Sequence, residues 1–317
     1  MSPHVRPILA VGNRVYVTNT PSSTVDVIDA EGGSVTRSIP VGLEPIALAL
    51  KPDKSELWVS NHVSDSVNVI DLDPSSPTFH QVVGLIDASS YQEADRYFDE
   101  PAGIAFASNA KAYVALSQEN QIAVIDTARL EITKTIAVPA QDPRAIAVFE
   151  DKLFVLPFES NNQTQLSGCL PSKIDGERCT FDAIEHVFTN NNVLSLNYVA
   201  DIIKNPELPD RDLLVYDTSS EQLIDTVEGL GTLLYGLTVT DSGQVVIAQT
   251  DARNDANGLA GSAGHGLAEL ENRPFLNQLS VVLCGTNDPC DTQASRIRLE
   301  SPPPDQLGDG SALATPY

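Results

Sequence analysis

Long apolar runs are missing from this sequence. No stretch of 18 apolar residues occurs, so no membrane-spanning helix is expected. Basic residues are scarce: 19 Lys and Arg stand against 43 Asp and Glu, a formal charge of −24. That balance disfavours nucleic acid, whose phosphates need neutralising cations, and an anionic membrane surface. It suits a protein kept soluble in a salt-exposed medium, or one that binds a cation or a basic partner. Catalytic signatures are missing too. There is no G-x-S-x-G, no H-E-x-x-H and no P-loop, and the glycines make no G-x-G-x-x-G between a strand and a helix. There is no C-x-x-C-H for haem attachment. The first residues, M-S-P-H-V-R-P-I-L-A-V-G, lack the apolar core of a signal peptide. Either the protein is cytoplasmic, or the chain begins after a leader has been removed.

Cysteine is sparse, with four residues in two close pairs, Cys169/Cys179 and Cys284/Cys290. Neither pair has C-x-x-C spacing or a histidine at zinc-finger distance. Two local disulfides are the simplest reading, each worth roughly 2–3 kcal/mol in the chain-entropy description. They favour a periplasmic or extracellular setting. The alternative is four reduced cysteines in a cytosolic protein.

What the sequence does contain is repetition. An aromatic-Val marker recurs at Tyr16-Val17, Trp58-Val59, Tyr113-Val114 and Phe154-Val155. A closing aspartate follows 13 residues later in the first three copies, at Asp29, Asp71 and Asp126. In the fourth copy the interval to Asp217 is 63 residues, so about 50 are inserted. A small, apolar, proline-led element precedes each marker, at Pro7, Pro45, Pro101 and Pro143, with a weaker fifth copy ending at Val239. A fourth apolar run follows each aspartate, at Ser34, Phe79, Ile132 and Gln222. Each unit is thus four short runs rich in Val, Ile and Thr, divided by turn residues, which is the signature of strands. Four strands in about 42 residues make one propeller blade. The proline-led run belongs innermost. The fourth run belongs at the rim, with Arg37, His80 and Lys134 facing outward as charged edge protection.

Y-V-T-N at Tyr16–Asn19, T-V-D-V-I-D at Thr24–Asp29, S-I-P-V-G at Ser38–Gly42 and P-I-A-L at Pro45–Leu48 resemble the YVTN-type β-propeller repeat. The resemblance covers nearly all of blades one to three, and the first, second and fourth strands of blades four and five. It implies an all-β fold of four-stranded blades at about 7–41, 44–86, 101–138, 143–227 and 234–299. Residues 159–212 form an insertion in blade four, expected to be a helical cap pinned by Cys169 and Cys179. Residues 300–317 are a link, and Pro316 stands where a sixth innermost strand would begin. The ring is therefore read as incomplete, a fragment or completed by another chain, with a five-bladed ring and tail as the competitor. Propellers of this type occur as bacterial surface binding modules, lactonase-like hydrolases and parts of redox proteins with a c-type haem, peroxidase-like region. The favoured function is a non-enzymatic extracytoplasmic module that binds a protein or small molecule. A redox module with a c-type cytochrome region or partner is the alternative, and a lactonase-like hydrolase is a third.

Where the repeat breaks is where recognition is expected. The loop 88–100 is acidic and aromatic. It is read as a short surface helix packing Tyr91 and Tyr97, or as the lining of an axial entrance. The insertion carries His186 beside apolar residues at helical spacing (Phe181, Ile184, Val187, Phe188). A third loop, Asp251 to Gly266, offers Asp251, Asn254, Asp255 and Asn257, oxygen ligands of the type Ca2+ prefers, though without EF-hand spacing. The competing reading is a glycine-rich loop that uses Asn and Asp for turns. His265 in that loop, His186 and His62 are the candidate contacts to a ligand or partner. No catalytic residue is assigned.

Overall fold

The computed structural model describes residues 3–92, 96–169, 177–178, 181–182, 199–252, 254, 259–260, 275–285, 289–291 and 294–299. Blade one is β1 (Ile8–Val11), β2 (Arg14–Asn19), β3 (Thr24–Asp29) and β4 (Val35–Pro40). Blade two is β5 (Pro45–Leu50), β6 (Glu56–Asn61), β7 (Ser66–Asp71) and β8 (Val82–Ile86). Blade three is β9 (Pro101–Ser108), β10 (Lys111–Leu116), β11 (Gln121–Asp126) and β12 (Glu131–Ala137). Each is a four-stranded antiparallel meander in chain order. In blade four, β13 (Gln141–Phe149) and β14 (Lys152–Glu159) come before the insertion, whose strands are β15 (Thr164–Cys169), β16 (Glu177–Arg178), β17 (Phe181–Asp182) and β18 (Val199–Lys204). The blade resumes with β19 (Leu213–Asp217) and β20 (Leu223–Val227). Blade five is β21 (Leu233–Val239), β22 (Gln244–Ala252), β24 (Phe275–Leu283) and β25 (Ser295–Arg298), with the short β23 (Leu259–Ala260) between its second and third strands. This is a β-propeller.

The strands form where the sequence alternates β-branched and aromatic residues between turn formers. The turns depend on left-handed backbone at Ser23, Asp65 and Asn120, between the second and third strands (φ 54°, 47° and 52°). Polar residues of this kind occupy that region more readily than bulky ones. The closing aspartate of each repeat is a turn cap. Asp29 accepts from Gly32 N at 2.7 Å, Asp126 from Ala128 N at 3.0 Å, and Asp217 from Ser220 N at 2.6 Å. Hydroxyl donation at Asp71, and main-chain donation from Arg129 and Ser220 at the other two, hold Asp71, Asp126 and Asp217 below the usual carboxylate range.

Blades pack face to face through the marker aromatics. Trp58, Tyr113 and Phe154 are fully buried and Tyr16 nearly so. One apolar cluster joins blades one and two, another two and three, another three and four, and another four and five. No cluster among the described residues joins blade five to blade one. Inner strands pack side by side, β5 on β9, β9 on β13 and β13 on β21. A Cβ at Gly103 would collide with the Arg144 carbonyl, so only glycine lets β9 lie that close to β13.

A second layer of contacts clamps each blade to the next. The turn before the fourth strand carries a left-handed residue, namely Gly33, His80, Leu130 and Glu221 (φ 62°, 60°, 55° and 57°). From blade two onward that residue meets the preceding blade. His80 Nε2 lies 2.9 Å from Tyr16 Oη, with Phe79 stacked on the imidazole and the Arg14 guanidinium over Phe79. Leu130 abuts Gly84. Glu221 pairs with Lys111 at 3.2 Å and with Lys134. In blade four Lys152 Nζ donates to Gly285 O of blade five.

Several expectations are corrected. His80 is not at the exposed rim with Arg37 and Lys134; it is buried, because its turn is the clamp. Burial first, then the charges of Arg14 and Arg37, push its imidazole down to about 4. Among the described residues the loop after β8 has one 3-10 turn, Ala88–Ser90, capped by Asp87. Tyr91 bridges Ile132, but Tyr97 is exposed and its neighbour Phe98 enters the core instead. The insertion is not helical where it is described. Val199–Lys204 is a strand paired with β15 from Thr164↔Lys204 to Cys169↔Val199. Val199, Ile202 and Ile203 are β-branched, and the partner strand satisfies main-chain groups that an isolated short helix would leave to water. Residues 183–198, with Ile184, His186, Val187 and Phe188, lie outside the described residues. The Cys284–Cys290 disulfide is formed; the Cys169/Cys179 pairing falls outside the described residues.

Two consequences are measurable. Protonated His80 does not suit its site, so the unfolded chain takes up the proton first. Stability present above pH 6.5 should be lost as pH falls toward about 4. Melting temperatures across that window should decline less in His80→Gln than in the parent. Gly103→Val should cost about 1–3 kcal/mol in urea unfolding.

Candidate recognition face at blades four and five

The two places where the repeat breaks meet in space. β16 of the blade-four insertion pairs with β23 of the blade-five loop, Glu177↔Ala260 and Arg178↔Leu259. Below them, β15 lies between β17 and β18 in a small sheet of its own. Blades four and five are also fused at this end, where β14 pairs with β21 through Glu159↔Leu233.

A network of polar side chains anchors the loops to the blades. The Asn162 amide donates to Asp251 Oδ1 at 2.7 Å, and Gln278 donates to Asp251 Oδ2 at 3.2 Å. Arg296 from β25 completes the set with an ion pair at 2.8 Å. Burial raises the Asp251 carboxyl, while Arg296 and the two amides act to lower it. Asn254 donates to Asn162 O at 3.1 Å and to Thr164 Oγ1 at 2.8 Å. Deeper, Ser160 Oγ donates to Gly231 O at 2.6 Å, and Asp212 Oδ2 accepts from Leu230 N. Asp212 is fully buried, and its Oδ1 has no partner among the described residues. Desolvation, and the adjacent Asp210 carboxylate after it, raise the Asp212 carboxyl well above the usual range.

Of the candidate cation ligands, Asp251 and Asn254 are brought together, but as a clasp between the two loops, with both Asp251 oxygens accepting from protein donors. Asp255 and Asn257 lie outside the described residues, as do His186 and His265. Among the described residues no group of three His, Cys, Asp or Glu side chains is placed to hold a metal ion. His62 is elsewhere, at the junction of blades two and three. It is 2 % exposed, with Nδ1 3.4 Å from Pro101 O and Nε2 3.6 Å from Glu100 Oε2. There it ties the second turn of one blade to the innermost strand of the next.

Asp212 escaped the sequence reading, although a signal existed. It stands five residues before its closing aspartate, where the other blades carry Thr24, Ser66 and Gln121. An ionisable residue at an otherwise neutral repeat position marks a local departure from the blade plan.

Neither a protein-family model nor a curated protein matches the sequence. Solved structures do match in fold. The chain is similar to a hydrazine synthase structure from Kuenenia stuttgartiensis, with TM-score 0.59 at 20% identity over 94% of this chain and 65% of that one. It is also similar to U3-55K, with TM-score 0.53 at 11% identity over 94% of this chain and 83% of that one. The chain therefore spans less than two thirds of the hydrazine synthase chain.

The raised pKa of Asp212 is testable. Its raised pKa makes the stability it confers complete below the unfolded aspartate value and lost as pH rises. Asp212→Asn keeps the acceptor for Leu230 N without the buried charge. It should hold or raise stability at pH 7 and flatten the loss toward alkaline pH. Asp212→Ala leaves that donor unsatisfied and should cost about 1–3 kcal/mol in chemical denaturation.

Proposed function

We propose that this chain is a YVTN-type, extracytoplasmic β-propeller that binds a protein or small-molecule partner without catalysing a reaction on it. Recognition would lie on the face built by the two inserted loops of blades four and five. The observation that carries this reading is the β16–β23 pairing, which joins the only two long departures from the repeat among blades four and five into one surface. Loops held over a rigid all-β frame are a common arrangement for binding. The Cys284–Cys290 disulfide supports an oxidising compartment. The charge of −24 favours a partner with a basic contact surface.

The test replaces residues 164–208 by a short Gly-Ser link and uses chemical cross-linking with mass spectrometry in periplasmic extract. The deleted protein should keep its β-rich circular dichroism and a cooperative melt, and lose the cross-links that the parent forms. A variant with a charge reversal at Arg37, on the rim, should keep them. Identical cross-links from parent and deletion overturn the reading. A c-type cytochrome among the cross-linked proteins would favour the redox-module alternative.

A further inference from the structure

A second feature lies at the axis, away from the loop face. A cavity of about 480 Å³ runs along the inner strands toward their C-terminal ends. It is lined by the small residues Gly103 and Ala147, by larger apolar residues such as Phe106, Val148 and Leu237, and by Arg6 from the segment before β1. Arg6 is held there by its main chain. Its N–H donates to Ile46 O at 3.4 Å, and its carbonyl accepts from Leu48 N at 2.9 Å, a parallel bridge alongside β5. Val5 beside it packs on the blade three–four and four–five clusters, so the segment crosses the axis.

The register places this arginine within the repeat. Pro7 O accepts from Thr18 N, whereas Pro45 faces Asn61, the counterpart of Asn19. The first proline is therefore not equivalent to the second. Counting back from Ile8↔Val17 and Leu48↔Val59, Arg6 takes the place that Ile46 takes in blade two. Ile46 is fully buried in the core. Blade three has Ala102 at this place and blade four has Arg144, which Asp142 pairs at 2.8 Å; among the described residues Arg6 has no such carboxylate beside it. No carboxylate lines the cavity, in a chain with 43 acidic residues. Arg6 is exposed, and among the described residues its guanidinium has no hydrogen-bond or ion-pair partner, so its five donors are open to a ligand at the cavity.

We propose that the axial cavity binds a small monocarboxylate with a compact apolar body, its carboxylate received by Arg6. The planar fork of a guanidinium matches a carboxylate in two parallel hydrogen bonds. The size falls within the range of small-molecule sites, and a lining of mostly apolar residue types suits an apolar body. A single arginine neutralises one charge. A phosphate dianion would keep an unpaired charge inside a strongly negative protein, which makes it the poorer ligand.

Isothermal titration calorimetry with hexanoate as the probe tests this, with hexanol and inorganic phosphate as controls. Saturable one-site binding of hexanoate is expected, with hexanol weaker and phosphate unable to displace it. Arg6→Gln keeps the main-chain bridge and should weaken hexanoate binding at least about tenfold, the loss of a charge-assisted contact. Ala147→Leu keeps Arg6 but occupies the cavity, and should weaken binding as well, which tests location apart from any folding effect of the first variant. No saturable binding at millimolar hexanoate overturns the proposal. So does equal affinity in either variant, equal affinity for hexanol, or displacement by phosphate.

Discussion

The structure depends on the burial of one aromatic side chain per repeat between neighbouring sheets. Tyr16, Trp58, Tyr113 and Phe154 each come from a second strand and each lose nearly all contact with water. A four-stranded sheet with one apolar face exposed is marginal by itself. Stacking sheets around an axis covers both faces of every inner blade, so stability grows with each neighbour gained. Everything else follows from keeping those faces in register: short turns, small inner-strand residues, and a glycine at position 103 where two inner strands almost touch.

The polar contacts secure what the apolar faces bring together. The closing aspartates fix the turns, and the turns present His80, Leu130 and Glu221 to the blade before. The same position accommodates an imidazole, an aliphatic chain and a carboxylate because the preceding blade supplies a matching group in each case. Gly33, at the equivalent place in blade one, presents no side chain. That agrees with the lack of a blade five–blade one cluster among the described residues.

Blades four and five spend their variation differently. Their blade strands keep the repeat, while the chain between them builds a second layer whose inserted strands pair with one another. Asp251, Asn162, Gln278 and the exposed Arg296 bind that layer to the frame with charged and amide groups. Such a clasp is specific in geometry, since each donor has one acceptor to meet.

The sequence alone determined the propeller, the number of four-strand units visible in it, and which strand lies innermost, because period-2 patterning and a constant aromatic-to-aspartate interval leave little else that would bury those residues. It also located both breaks in the pattern. The local Cys284–Cys290 disulfide was legible from spacing. Only the tertiary structure decided what needed partners distant in the chain. His80 and Tyr16 are 64 residues apart, so nothing local marks the histidine as buried. Val199–Lys204 has apolar spacing that a helix or a strand could use, and pairing with β15 chose the strand. The shift of Pro7 against Pro45, which sets Arg6 at the place of Ile46, is invisible until β1 is set against β2. Local pattern fixes which residues form strands. Register between strands fixes which of them face the axis, the next blade or water.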